Sequence, residues 1–292
     1  MTNPRRRFLK GAAQFSAIAP FLTVGALAQR AAAAEGQASR FGDTAEEAGQ
    51  IAYDAHEDLM KYPGLRMHGA EQVAMVVYPQ MTMLDLVGPQ FFFAMMMGAT
   101  VHLVSKDPEL TPIMGDTGFA IVPTISMADC PKDLDILFVG GGTTGTVNFV
   151  NDEESIAFMA DRGSRAKNIT SVCTGSMILG KAGLLEGKKA TSHWAVRHLL
   201  SEFGAKPTNA RVVTDGNVTT GAGVSAGLDF ALALLGKLRG EPYARSIQLA
   251  AEYAPDPIYD GGTLETTDPK MATAMHEMYA TAIFAMKEAA KG

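Results

Sequence analysis

From residue 73 onward, short apolar runs alternate with longer segments in which apolar residues recur every three to four positions. The runs Val73 to Val77, Val101 to Val104, Asp135 to Val139, Ile169 to Val172 and Ala210 to Thr214 are short and largely apolar, which predicts strands buried on both faces. Helices are expected over Gln90 to Met97, Glu153 to Arg165, Thr174 to Lys181, His193 to Phe203 and Ser225 to Arg239. Such alternation predicts an α/β fold: a three-layer sandwich with a mostly parallel sheet and helices on both faces. Asp215-Gly216-Asn217, between Val213 and Val218, adds a tight hairpin.

The flanks read differently. Asp43 or Thr44 can cap a helix that ends near Tyr62-Pro63-Gly64, within an extension spanning residues 35–70. After the main α/β segment, residues 71–254, Pro255, Pro257 and Gly261-Gly262 break regular structure in a tail of residues 255–292. A last helix is expected from about Lys270 to Lys287, with Met271, Met275, Met278, Ala282 and Met286 on one face, packed on the core or on a second copy.

Residues 1–34 stand apart. Arg5-Arg6-Arg7-Phe8-Leu9-Lys10 precedes a mildly apolar run, and Ala26-Leu27-Ala28 and Ala32-Ala33-Ala34 are small-residue cleavage candidates, so the segment resembles a twin-arginine export signal. The expected partner is then the twin-arginine export machinery, and the expected location is the periplasm or beyond. Cleavage would remove five of the 25 basic residues and none of the 31 acidic ones, leaving a net charge of −11. That charge argues against nucleic acid as a partner. No other stretch is long and apolar enough to span a bilayer, so no stable membrane association is expected after cleavage. With 292 residues and 47% hydrophobic content, the chain has ample material for a packed core.

There are two cysteines, too few for a disulfide framework. A bridge between them would join the loop Asp129-Cys130-Pro131 to a buried turn, so both are expected to be free. Cys173 sits where a strand ends and a helix begins. Free amides and the positive helix end favour a thiolate there, and Gly175 relieves crowding as in a nucleophile elbow. A small buried core residue is the other reading. Gly140-Gly141-Gly142-Thr143-Thr144-Gly145 follows a strand without P-loop or dinucleotide spacing, so it is either an oxyanion-binding turn, with Gly141 and Gly142 as donors, or a tight turn alone. Asp85, in the apolar loop Pro79 to Pro89, is either a general acid/base or a helix N-cap. His193, beside Trp194, is either a supporting base or a core histidine. His276-Glu277 lies mid-helix, where adjacent residues diverge, and is set aside. No group of residues has metal-ligand spacing, and no metal or cofactor is expected.

These pieces together resemble the ThiJ/PfpI superfamily, the class I glutamine-amidotransferase-like fold. They are Val76-Val77-Tyr78-Pro79 with Leu84-Asp85-Leu86-Val87-Gly88-Pro89, then Asp135 to Gly142, Ser171-Val172-Cys173-Thr174-Gly175-Ser176, Ala190-Thr191-Ser192-His193-Trp194, and Gly223-Val224-Ser225-Ala226-Gly227-Leu228-Asp229. The resemblance implies a flavodoxin-like sheet, a nucleophile elbow and a homodimer. Within the superfamily the motifs are most similar to the isonitrile hydratase branch and to the ligand domains of AraC-type regulators. That similarity implies Cys173 as nucleophile, Asp85 as proton donor and Thr174 as an orienting residue. The implied reaction takes a small isonitrile to an N-substituted formamide through a covalent thioimidate. The alternative is a non-catalytic ligand-binding or oxidant-sensing protein. Thr174, where protease-like members carry histidine, and the missing late His-x-Glu pair argue against proteolysis and glutamine hydrolysis.

Overall fold

The computed structural model describes residues 41–291; the export-signal segment expected at residues 1–34 lies outside these. The chain opens with helix α1 (Ala45–Met60), started by a capping box in which the Thr44 hydroxyl accepts from the Glu47 amide and the Glu47 carboxylate accepts from the Thr44 amide. Then come β1 (Gln72–Val76), α2 (Met83–Ala94), β2 (Thr100–Ser105), the short hairpin β3 (Ile113–Met114) and β4 (Ala120–Ile121), β5 (Ile125–Ser126) and β6 (Ile136–Val139). Two helices, α3 (Thr144–Val150) and α4 (Glu153–Gly163), lead to β7 (Asn168–Val172) and α5 (Gly175–Lys181). The two-residue strands β8 (Lys189–Ala190) and β9 (Lys206–Pro207) flank a 3-10 helix, Arg197–Phe203. The chain ends with β10 (Val212–Asp215), β11 (Val218–Gly221), α6 (Ala226–Arg239), α7 (Glu241–Ala250), α8 (Pro269–Met278) and α9 (Ala280–Lys291).

Seven strands form the central sheet in the order β10-β11-β7-β6-β1-β2-β5. All neighbours pair in parallel except β10 and β11, whose antiparallel hairpin turns at Gly216 with φ 66°, as a two-residue loop opening on glycine requires. β1, β6 and β7 are almost wholly buried, which is why their sequences run apolar without alternation. Phe93, Phe138 and Phe230 pack ring against ring between the sheet and helices α2 and α6.

From β1 the chain moves to β2 on one side and later returns to β6 on the other. The carboxyl ends of β1 and β6 therefore flank a topological switch point, where ligands collect in open α/β sheets. Asp85, the Gly140 loop and Cys173 follow β1, β6 and β7 respectively.

Three expected helices are corrected. Helix α2 begins at Met83 rather than Gln90, so Asp85 lies in its first turn and not in a loop. Pro89 misleads as a start signal: inside the helix it forfeits only the hydrogen bond to the Asp85 carbonyl, and buried packing outweighs that loss. The stretch from His193 is a turn, and regular structure starts only at Arg197, after Val196 at φ −120°. The last helix is two helices divided at Tyr279. Of its methionine face, Met286 joins the core whereas Met271, Met275 and Met278 are exposed. Both cysteines are buried and free.

Candidate functional site

The turn after β7 is tightly held. Cys173 adopts φ 59°, a left-handed conformation that an L side chain enters only under constraint. Its amide donates to the carbonyls of Gly221 (3.1 Å) and Ala222 (2.7 Å), and its carbonyl accepts from the hydroxyls of Ser176 (3.1 Å) and Ser192 (3.0 Å). This bend turns the thiol off the end of the strand toward Asp85. It has the shape of a nucleophile elbow.

Ionisation of the thiol differs from the expectation of a thiolate. Burial, reinforced by the Asp85 carboxylate, pushes Cys173 well above the ordinary thiol range, although the N–H groups of Val224 and Thr174 point at the sulfur and pull the other way. The loss of water outweighs the pull of these two amides. The resting group is a neutral thiol.

Asp85 is fully buried. Its Oδ2 accepts the Gly141 amide at 2.7 Å, while Oδ1 has no hydrogen bond of ordinary length among the described residues. Burial raises its carboxyl from 3.8 to about 7, and the negative charge of Asp116 adds to that rise; the Gly141 amide and the Cys173 thiol oppose it. Thiol and carboxyl thus face each other, and of the two it is the carboxyl that gains or loses its proton near neutral pH.

Thr174 and the two glycines serve one another. The Thr174 hydroxyl donates to the Gly142 carbonyl and accepts from the Gly142 amide, both at 2.9 Å, and meets the Thr146 hydroxyl at 2.8 Å. Thr146 in turn meets the hydroxyl of Tyr78, which donates to the Gly140 carbonyl at 2.9 Å. The amides expected to receive an oxyanion are therefore committed: that of Gly141 to Asp85, that of Gly142 to Thr174. A Cβ on Gly141 would sit 2.5 Å from the Thr174 hydroxyl, so the close approach of the two loops requires glycine there. The Thr174 hydroxyl ties the elbow to the glycine loop, while its amide faces the thiol.

His193 lines the same pocket but makes no hydrogen bond to Cys173 or Asp85 among the described residues. Its Nδ1 accepts the Ala195 amide at 3.4 Å, and burial, then the nearby Arg197, hold its imidazole below the ordinary histidine range. Its ring packs tilted against Trp194 and edge-on against Tyr279, as part of the pocket wall.

Sequence reasoning missed two contributors. Asp116, at the tip of the β3–β4 hairpin, reaches the pocket and accepts the Thr82 hydroxyl at 2.5 Å. The amide of Val224 faces the sulfur from the opposite side of the elbow. Asp116-Thr117-Gly118 is a turn signal that carries no hint of proximity to Cys173, whereas Val224 lies within a quoted motif whose amides no side-chain pattern could single out. Among the described residues, no cluster of three or more His, Cys, Asp or Glu is placed to hold a metal ion.

The model of the DJ-1/PfpI family matches residues 71–237, over half of the chain. The chain belongs to this family. It is 45% identical over 197 residues to isonitrile hydratase from Pseudomonas putida, covering 68% of this chain and 85% of that protein. The crystal structure of a ThiJ/PfpI family protein from Pseudomonas syringae is 52% identical, covers 77% of this chain and 93% of its own, and superposes with a TM-score of 0.76. Drosophila melanogaster DJ-1beta, at 17% identity and a TM-score of 0.55, shares the fold. Similarity to the HTH-type transcriptional regulator GbdR of Pseudomonas aeruginosa is 28% over 148 residues, half of this chain but 39% of the regulator.

Proposed function

We propose that the protein is a cysteine-dependent hydratase that converts small isonitriles to N-substituted formamides. The observation that carries this reading is the buried Cys173–Asp85 pair, a neutral thiol facing a carboxyl raised to about 7. Similarity to isonitrile hydratase supports it.

The terminal carbon of an isonitrile, R–N≡C, must gain both a nucleophile and a proton. A thiol beside a carboxylate supplies both from one place. Asp85 takes the proton from the Cys173 thiol as sulfur attacks the carbon, and passes it to that same carbon, giving the thioimidate R–N=CH–S–Cys173. Water then adds across the C=N bond: its oxygen joins the carbon, and one proton reaches nitrogen through Asp85. The resulting R–NH–CH(OH)–S collapses as the C–S bond breaks and the hydroxyl proton returns to sulfur. R–NH–CHO leaves and the pair is restored, so one water is consumed. The amides of Val224 and Thr174 stabilise charge that builds on sulfur in both halves of the reaction.

Purified protein is expected to convert cyclohexyl isocyanide to N-cyclohexylformamide, and Cys173→Ala to abolish the conversion. An unchanged isocyanide, with Cys173 shown to be reduced and open to alkylation, refutes the reading. Oxidant sensing is less well supported, because sensor thiols depend on thiolate character and exposure, whereas Cys173 is buried and protonated.

A further inference from the structure

One wall of the Cys173 pocket comes from outside the segment that matches the family model. That match ends at residue 237, yet Tyr279, Ala282 and Met286 line the same cavity of about 130 Å³ as Cys173, Asp116 and His193. Their spacing of three and four places them on one face, running from the α8–α9 junction into α9.

This face is fixed at both ends. Met286 and Ala289 are buried, α9 packs against α3 and the 3-10 helix, and the Lys181 ammonium donates to the Ala289 carbonyl at 2.8 Å. At the other end, His276 Nε2 hydrogen-bonds the Ala195 carbonyl at 3.2 Å, and the Tyr279 ring lies 5.4 Å from that of His193. The helix is part of the pocket and not a loose cover.

The cavity lining is mixed in chemistry. Cys173, Thr174, Thr82 and Asp116 bring polar groups to it, while α9 contributes the methyl group of Ala282 and the apolar thioether chain of Met286. An isonitrile is likewise mixed: a reactive carbon at one end and its substituent at the other. With the carbon at the sulfur, the substituent occupies the rest of the cavity, whose lining includes Ala282 and Met286.

We propose that α9 is the specificity wall of this site and that Ala282 and Met286 set the size of the substituent the pocket accepts. The proposal rests on the hydratase reading above for its substrate class. A small residue at 282 leaves room for an alkyl group, and the flexible Met286 bounds its far side.

The test compares methyl with cyclohexyl isocyanide in Ala282→Phe, Ala282→Leu and Met286→Ala. Discrimination by one or a few methylenes in an apolar pocket runs from about tenfold upward. Ala282→Phe is therefore expected to lower kcat/KM for cyclohexyl isocyanide about tenfold or more relative to methyl isocyanide. Ala282→Leu should move that ratio less and in the same direction, and Met286→Ala the opposite way. Circular dichroism and melting curves confirm folding, and the milder Leu variant carries the test if Phe does not fold.

A second readout is independent of turnover: the rates at which iodoacetamide and N-cyclohexylmaleimide alkylate Cys173, resolved from Cys130 by peptide mass spectrometry. If isonitriles are not hydrated but the alkylation ratio moves with the substitutions, the hydratase reading fails and the wall stands. If hydration proceeds and both ratios stay within twofold of wild type in the folded variants, the wall is refuted.

Discussion

Asp85 is the residue through which pH acts on this site. Below about 7 it is protonated and cannot accept the Cys173 proton; above that value it is ionised while the thiol still holds its own. Hydration is therefore expected to rise through pH 7 and stay level until the thiol itself ionises. Burial is the main cause of the position of that rise, and the charge of Asp116 adds to it: Asp116→Asn is expected to move the rise modestly to lower pH while leaving plateau turnover within severalfold of wild type. A pH profile of kcat/KM whose acid limb is identical in both proteins contradicts that role. Asp85→Asn is a harsher change: it removes the proton relay of the proposed reaction, at an expected cost of roughly 100- to 10,000-fold in rate.

The nucleophile elbow depends on glycine immediately after it. A Cβ on Gly175 would run into the carbonyls of Val139 and Gly140, because α5 starts directly over the end of β6. Gly175→Ala is expected to destabilise the fold by about 1–3 kcal/mol through overpacking, measured by urea denaturation. It should also slow alkylation of Cys173, since the backbone that aims the thiol must shift; a variant matching wild type in both contradicts the account. The buried strands β1, β6 and β7 and the half-buried β2 were legible as short apolar runs, and the β10–β11 hairpin from its Gly-containing turn. The start of α1 was legible as a cap at Asp43 or Thr44, and the structure selects Thr44. Helix α2 was misplaced because Pro89 reads as a boundary when only local propensity is weighed, whereas Asp85 and Leu86 are buried against the sheet and extend the helix upstream. Cys173, Asp85 and the glycine loop were legible as neighbours through motif resemblance. The partners of the Gly141 and Gly142 amides were not, because nothing in a run of glycines states which acceptor each will meet.

Across the whole molecule, Arg239 connects segments distant in sequence. It is 1% exposed, pairs with Glu71 ahead of β1, and donates to the carbonyls of Arg66, Met67 and Met97. This joins the end of α6 to the segment entering β1 and to the turn after α2. Removing one partner of a buried pair strands the other, so Arg239→Ala is expected to cost about 3–5 kcal/mol. Double substitution of Arg239 and Glu71 by Met and Leu should recover part of that loss. A melting temperature unchanged in Arg239→Ala would show that the ion pair carries little of the stability. Placement of α9 has a different consequence, one of timing during synthesis. Every strand of the sheet, and Cys173 itself, precedes α9 in the chain, so a growing polypeptide can complete the sheet and elbow while the pocket still lacks this wall. Cys173 in a chain stopped ahead of α9 is therefore expected to be alkylated faster than in the full chain, because Tyr279, Ala282 and Met286 are not yet there to close the pocket.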